Sequence, residues 1–71
     1  MNKIWQNKVD NKYDVFVESD GDGYGGFLVI IENNKELLRE HTSISYAAKF
    51  GPDISDVAKW EERCIQFIDK K

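Results

Sequence analysis

The sequence predicts an α+β domain: a three- to four-stranded antiparallel meander sheet with one C-terminal amphipathic helix packed on one face. Three observations predict it. Two strand-like runs, Tyr13 to Glu18 and Phe27 to Glu32, flank a turn-rich segment, Ser19 to Gly26. The Asp-Gly pairs of that segment supply the positive φ angles that tight hairpin turns require. After the chain break at Gly51-Pro52, the residues from about Ile54 to Asp69 carry apolar positions at helical spacing.

At the N-terminus, Ile4, Trp5 and Val9 stand among polar residues, which suits a short strand over Lys3 to Asn7 turning at Asp10-Asn11. Whether that strand forms decides between ββββα and βββα. Tyr13 to Glu18 alternates, with Tyr13, Val15 and Val17 on one face and Asp14, Phe16 and Glu18 on the other. Phe27 to Ile31 does not alternate. All five residues are apolar, so this strand needs cover on both faces and belongs in the middle of the meander. A second turn, Glu32 to Glu36, leads into a third hairpin partner, Glu36 to Thr42. Ser43 to Gly51, with Tyr46, Ala47, Ala48 and Phe50, reads either as a helical turn or as an irregular crossing segment.

The helix has the clearest signals. Asp53 suits the N-cap, and Asp56 three residues on resembles the acidic partner of a capping box. Lys70-Lys71 at the far end complements the helix dipole. At 100° per residue, Trp60, Cys64, Val57, Ile68, Ile54, Ile65 and Ala58 form one broad apolar face, with Phe67 at its edge. Ser55, Lys59, Glu62, Gln66 and Asp69 fall opposite. Glu61 lies within the apolar arc, between Val57 and Ile65, and is expected either at the rim of the interface or paired with a hydroxyl or base such as Tyr46, Arg39 or His41.

Length and composition narrow the function classes. Seventy-one residues make one small domain, and a hydrophobic fraction of 41% is enough to give it a core. One cysteine excludes an internal disulfide. With no apolar run of membrane length, the expected place is the cytoplasm, and no membrane contact is expected. Cys64, on the apolar side of the helix, reads as a small inert hydrophobe. Between Lys12 and Lys35 there is no basic residue, while Asp14, Glu18, Asp20, Asp22 and Glu32 are acidic. Nucleic-acid binding needs a positive stripe, and the scattered lysines and arginines form none.

The motifs that suggest chemistry each lack a required part. Glu18, Asp20, Asp22 and Gly23 match the first half of a calcium loop, but the position that should close the shell with a carboxylate is Val29. Gly21, Gly23, Gly25 and Gly26 precede a strand rather than a helix N-terminus, and the neighbouring acids repel phosphate. Gly25 and Gly26 are better read as a bulge, or as a place where a bulky ring lies flat on the backbone. His41, the single histidine, has Thr42, Ser43 and Ser45 near it, but no hydrolase signature surrounds them. No catalytic residue, metal site or cofactor is expected.

The segment Val15 to Tyr24 resembles the opening hairpin of HicB-type antitoxins, which also place an acidic Asp-Gly turn before an aromatic. That family continues into a proline-rich turn and a helix. Here a further strand follows, and the likeness implies only shared hairpin chemistry.

With one helix for two sheet faces, the second face is expected to be an interaction surface, in a homodimer or with another protein of unknown identity. Phe16, Asp20, Asp22, Tyr24 and Phe27 are its expected contacts, with Tyr24 on the hairpin tip. An acidic inhibitor or nucleic-acid mimic using residues 13–34 against a basic surface is the alternative.

Overall fold

The computed structural model describes residues 3–20, 25–44 and 53–70. Four antiparallel strands, β1 (Lys3–Val9), β2 (Tyr13–Ser19), β3 (Gly25–Glu32) and β4 (Lys35–Ser43), form one sheet in sequence order, and helix α1 (Ile54–Asp69) follows. This is the ββββα form of the predicted meander. The first strand runs past Asn7 to Val9, and β3 begins at Gly25, inside the segment assigned to the turn. The hairpin tip at 21–24, with Asp22 and Tyr24, lies outside the described residues, as do residues 45–52. The expectations for those positions therefore fall outside the described structure.

Two of the turns rest on residues that tolerate left-handed backbone. Asp10 and Asn11 have φ of 55° and 53°, and the Lys12 N–H donates to the Val9 carbonyl at 3.1 Å. Asn33 and Asn34 repeat the device with φ of 53° and 64° between β3 and β4. Positive φ at both central residues gives a turn the same twist as its flanking strands, so the hairpins close tightly. At the base of the hairpin between β2 and β3, the Asp20 N–H donates to the Gly25 carbonyl at 3.0 Å.

Register sorts the side chains onto two faces. Val15 lies opposite Ile30 and Val17 opposite Leu28. These four pack with Tyr13, Ile44, Trp60 and Cys64 into one buried cluster under the helix. Both edge strands carry an irregularity. Pairing skips Ile4 between Lys3 and Trp5 in β1, and Leu37 between Glu36 and Leu38 in β4. A bulge breaks alternation, which is why neighbours in sequence, Ile4 with Trp5 and Leu37 with Leu38, all pack against the same cluster. Bulges beside Lys3 and Lys35 also blunt the two open edges against pairing with other chains.

Helix α1 presents Trp60 and Cys64 to the sheet, exposed by only 1% and 0%. The Trp60 ring packs 5.7 Å from that of Trp5, and its indole N–H donates to Thr42 Oγ1 at 2.9 Å. The largest buried side chain thus has its one donor satisfied. Val57, Phe67 and Ile68 are half-buried, but Ile54 is 84% and Ile65 53% exposed, and Ala58 is exposed too. The sheet covers a narrower face than the periodicity suggested. Asp53 occupies the N-cap position with extended backbone, but its side chain caps no helix N–H; it accepts from Ser55 Oγ at 2.9 Å. The capping box is therefore replaced by a side-chain bond within the first turn, and Asp56 is buried at 8% exposure.

Gly26 is required by a close approach rather than by a bulge or a ring. A Cβ there would collide with the Glu18 carbonyl oxygen and stand 2.8 Å from Ile44 Cδ1. At Gly25 a Cβ would meet Asp20 Oδ2 at 2.9 Å and His41 Nε2 at 3.0 Å, both ends of side chains that can move aside. Gly26→Ala is therefore expected to cost about 2 kcal/mol or more in urea unfolding, and Gly25→Ala less than half as much. Equal losses at the two positions would contradict this packing.

Candidate functional site: the second face of the sheet

The face turned away from the helix reads from the register as three rows. Lys3, Glu18, Phe27 and His41 lie across one end, Gln6, Phe16, Val29 and Arg39 across the middle, and Lys8, Asp14, Ile31 and Glu36 across the other end. Val29 stands at the centre with 0% exposure, although it faces away from the helix. Phe16, Phe27 and Ile31 around it are half-buried.

A charged side chain provides cover for the centre. Arg39 projects from β4, and its Nη1 donates to Glu18 Oε1 on β2 at 2.8 Å, so the side chain passes over β3. Glu36 holds the same guanidinium from its own strand, at 3.0 Å from Nη2 and 3.1 Å from Nε. The hydrogen bonds it donates to Glu18 and then to Glu36 raise the Arg39 pKa above its ordinary value. The guanidinium carbon lies 5.7 Å from the Phe27 ring centre, and Lys3 Nζ lies 4.5 Å from that of Phe16. Both rings thus carry a cation, a contact worth about 0.5–1 kcal/mol at exposed sites. The arginine stem lies beside Val29, its direct cross-strand partner.

Of the expected contact residues, Phe16 and Phe27 share this face, on the adjacent strands β2 and β3 and in neighbouring rows. Asp20 is exposed at its upper end, near His41. A cavity of ≈ 220 Å³ beside Phe16 is lined by Lys3, Gln6, Asp14 and Ile31 among others. It is smaller than the roughly 300 Å³ at which small-molecule pockets begin, and its scale suits one inserted side chain. The His41 ring meets Phe27 edge-on with centroids 5.7 Å apart. Thr42 Oγ1, its neighbour in sequence, is engaged with Trp60, and Ser43 Oγ accepts from Lys59 Nζ at 3.3 Å. Among the described residues no group of three or more His, Cys, Asp or Glu side chains is placed to hold a metal ion. None of their helices is long and apolar enough to cross a membrane.

Sequence reasoning missed the Arg39 strap. It is a non-local pair between β2 and β4, and its only signal was the isolated basic residue on a strand beside an over-apolar neighbour. Of the two alternatives for Glu61, the rim holds and the pairing with Tyr46, Arg39 or His41 does not: it is exposed and makes no hydrogen bond or ion pair among the described residues. The reason is that Arg39 and His41 stand on the face turned away from the helix that carries Glu61, while Tyr46 lies outside the described residues. Burial of Cys64 pushes its thiol pKa up to about 11, consistent with an unreactive core position.

Most acids of the strands have a cation. Asp14 lies 3.8 Å from Lys8 Nζ, Glu32 3.0 Å from Lys12 Nζ, and Glu18 is held by Arg39. On the helix side, Arg63 forms a fork on Glu40, with Nε to Oε2 and Nη2 to Oε1 both at 2.9 Å. The Arg63 hydrogen bonds hold the Glu40 carboxyl below the usual carboxylate range. The folded chain therefore binds that proton less readily than the unfolded one. Its contribution is present above the ordinary carboxylate pKa and disappears as pH falls through the lowered value. Glu40→Gln is expected to cost about 1 kcal/mol or less near neutrality, with the difference from the parent chain shrinking in urea titrations as pH falls below the ordinary carboxylate range. A gap that widens on acidification would contradict this. No protein-family model matches the chain, and no curated protein or solved structure matches it significantly.

Proposed function

We propose that this chain is a non-enzymatic protein-interaction domain that binds its partner through the second face of the sheet. The observation that carries the reading is the pair of half-exposed rings, Phe16 and Phe27, set around the buried Val29 and capped by Lys3 and Arg39. Aromatic anchors within a rim of satisfied polar groups are the usual composition of a binding patch. The side-chain-sized cavity beside Phe16 adds a socket for an anchor from the partner. Charges on this face balance, with Lys3, Lys8 and Arg39 against Asp14, Glu18 and Glu36. Shape and apolar contact, rather than net charge, would then select the partner, and a second copy of the chain satisfies that condition as well as another protein does.

The same pairing counts against an acidic mimic. Asp14, Glu18 and Glu32 belong to the 13–34 segment, and each has a lysine or arginine beside it. A basic partner surface would have to displace those cations before reaching the carboxylates. The lone buried thiol, with no disulfide to maintain, fits a cytoplasmic setting.

Photo-crosslinking tests the reading. A benzophenone amino acid at position 16 or 27 is expected to give one discrete adduct in extract of the source cell, or a dimer of the purified chain. The same group at Lys12, exposed in the turn between β1 and β2 and outside the three rows of this face, is expected to give neither. Adducts from position 12 alone, or none from the sheet face at any concentration, would overturn the proposal.

A further inference from the structure

The flank of α1 farthest from β4 carries an exposed patch that the sheet-face reading does not use. At 100° per residue, Ile54, Ala58, Glu61, Glu62, Ile65 and Asp69 fall within one arc of about 100°. All six are exposed, and Ile54 and Ile65 are the large hydrophobics that stand out, at 84% and 53%. Every charge in the arc is negative. The helix cations lie on the opposite flank, where Arg63 is forked on Glu40 of β4 and Lys59 lies 3.7 Å from Asp56 and bonds to Ser43. Glu61 and Asp69 have no ion-pair or hydrogen-bond partner among the described residues, and Glu62 accepts only from Gln66 at 3.4 Å.

We infer that this flank docks a basic amphipathic helix of another protein. Its aliphatic residues would cover Ile54 and Ile65, and its lysines or arginines would face Glu61, Glu62 and Asp69. Ile54 and Ile65 are separated along the helix axis by about 16 Å, which asks for about three turns of partner helix. Ala58, between them, lets the partner backbone come close. Charge complementarity selects this occupant over a second copy of the chain. In a symmetric pairing of two such flanks, Glu61, Glu62 and Asp69 would meet their own counterparts with no basic residue in the arc to neutralise them. Unpaired acids beside unburied isoleucines are the complement of a helix with lysines beside leucines. The inference stands apart from the sheet-face reading, because neither surface contributes a residue to the other.

The test uses the isotope-labelled chain and two synthetic helical peptides of about fourteen residues with the same leucine spacing, one with lysine and one with glutamate at the polar positions. The lysine peptide is expected to shift the amides of residues 54–69 and to leave those of Phe16, Phe27 and Val29 unmoved. The glutamate peptide is expected to shift neither. Ile54→Ser with Ile65→Ser, exposed positions whose change leaves the core intact, is expected to weaken lysine-peptide binding about tenfold or more. Glu61→Lys with Glu62→Lys is expected to exchange the preference between the peptides. Three results would overturn the inference: lysine-peptide binding unaffected by the isoleucine pair of changes, shifts centred on the sheet face, or a dimer in sedimentation equilibrium that Ile65→Ser dissociates.

Discussion

A four-stranded sheet has two faces, and the described chain supplies one helix to cover them. Everything else in the structure follows from how the uncovered face is managed. On the helix side the chain spends its largest apolar units: Trp60 against Trp5, with Leu28, Ile30, Val15 and Val17 beneath. On the other side it lays Arg39 across β3 to Glu18 and anchors it with Glu36. A long cationic side chain can do this because its methylenes cover apolar surface while its head stays hydrated. The ion pair itself contributes little at a partly exposed site. Its value lies in holding the stem in one place, beside Val29.

That arrangement explains why the second face is neither an open greasy sheet nor an ordinary solvated one. Its centre is closed, while its rings at positions 16 and 27 remain half-exposed under cations that can shift. The rim charges neutralise one another, so the face has little long-range field. The far flank of the helix differs in every respect: its isoleucines stand in solvent and its acids lack cations. One surface is suited to shape-led contact, the other to charge-led contact with an apolar centre. The two lie on opposite sides of the sheet.

Much of the fold was legible because its signals are local. Alternation from Tyr13 to Val17 set the core face of β2, the unbroken run from Phe27 to Ile31 put β3 in the middle, and Asp-Gly, Asp-Asn and Asn-Asn marked the turns. The helix was plain from its period, yet its buried arc was read too wide. Hydrophobicity shows which residues tolerate burial; the breadth actually covered depends on how the helix sits, and its clamp on β4 through Arg63 and Glu40 is not local. The bulges at Ile4 and Leu37 were invisible for a related reason. Two adjacent apolar residues look like broken alternation until the partner strand supplies the register.

The candidate site was half legible. Phe16 and Phe27 were placed on the correct face because strand parity places them. Arg39 was not, since nothing near it in sequence says that its partner lies two strands away on β2. Glu61 fails to pair for a related reason: Arg39 and His41 lie across the sheet from the helix that carries it.

The claim on which the account turns is that Arg39 closes the centre of the second face. A double-mutant cycle between Val29 and Arg39, read by urea unfolding, tests it most directly. Val29→Ala is expected to cost about 2 kcal/mol in the parent chain, as at a core position, and half of that or less once Arg39 is already alanine. The same cost in both backgrounds, or a negligible cost in the parent chain, would contradict it.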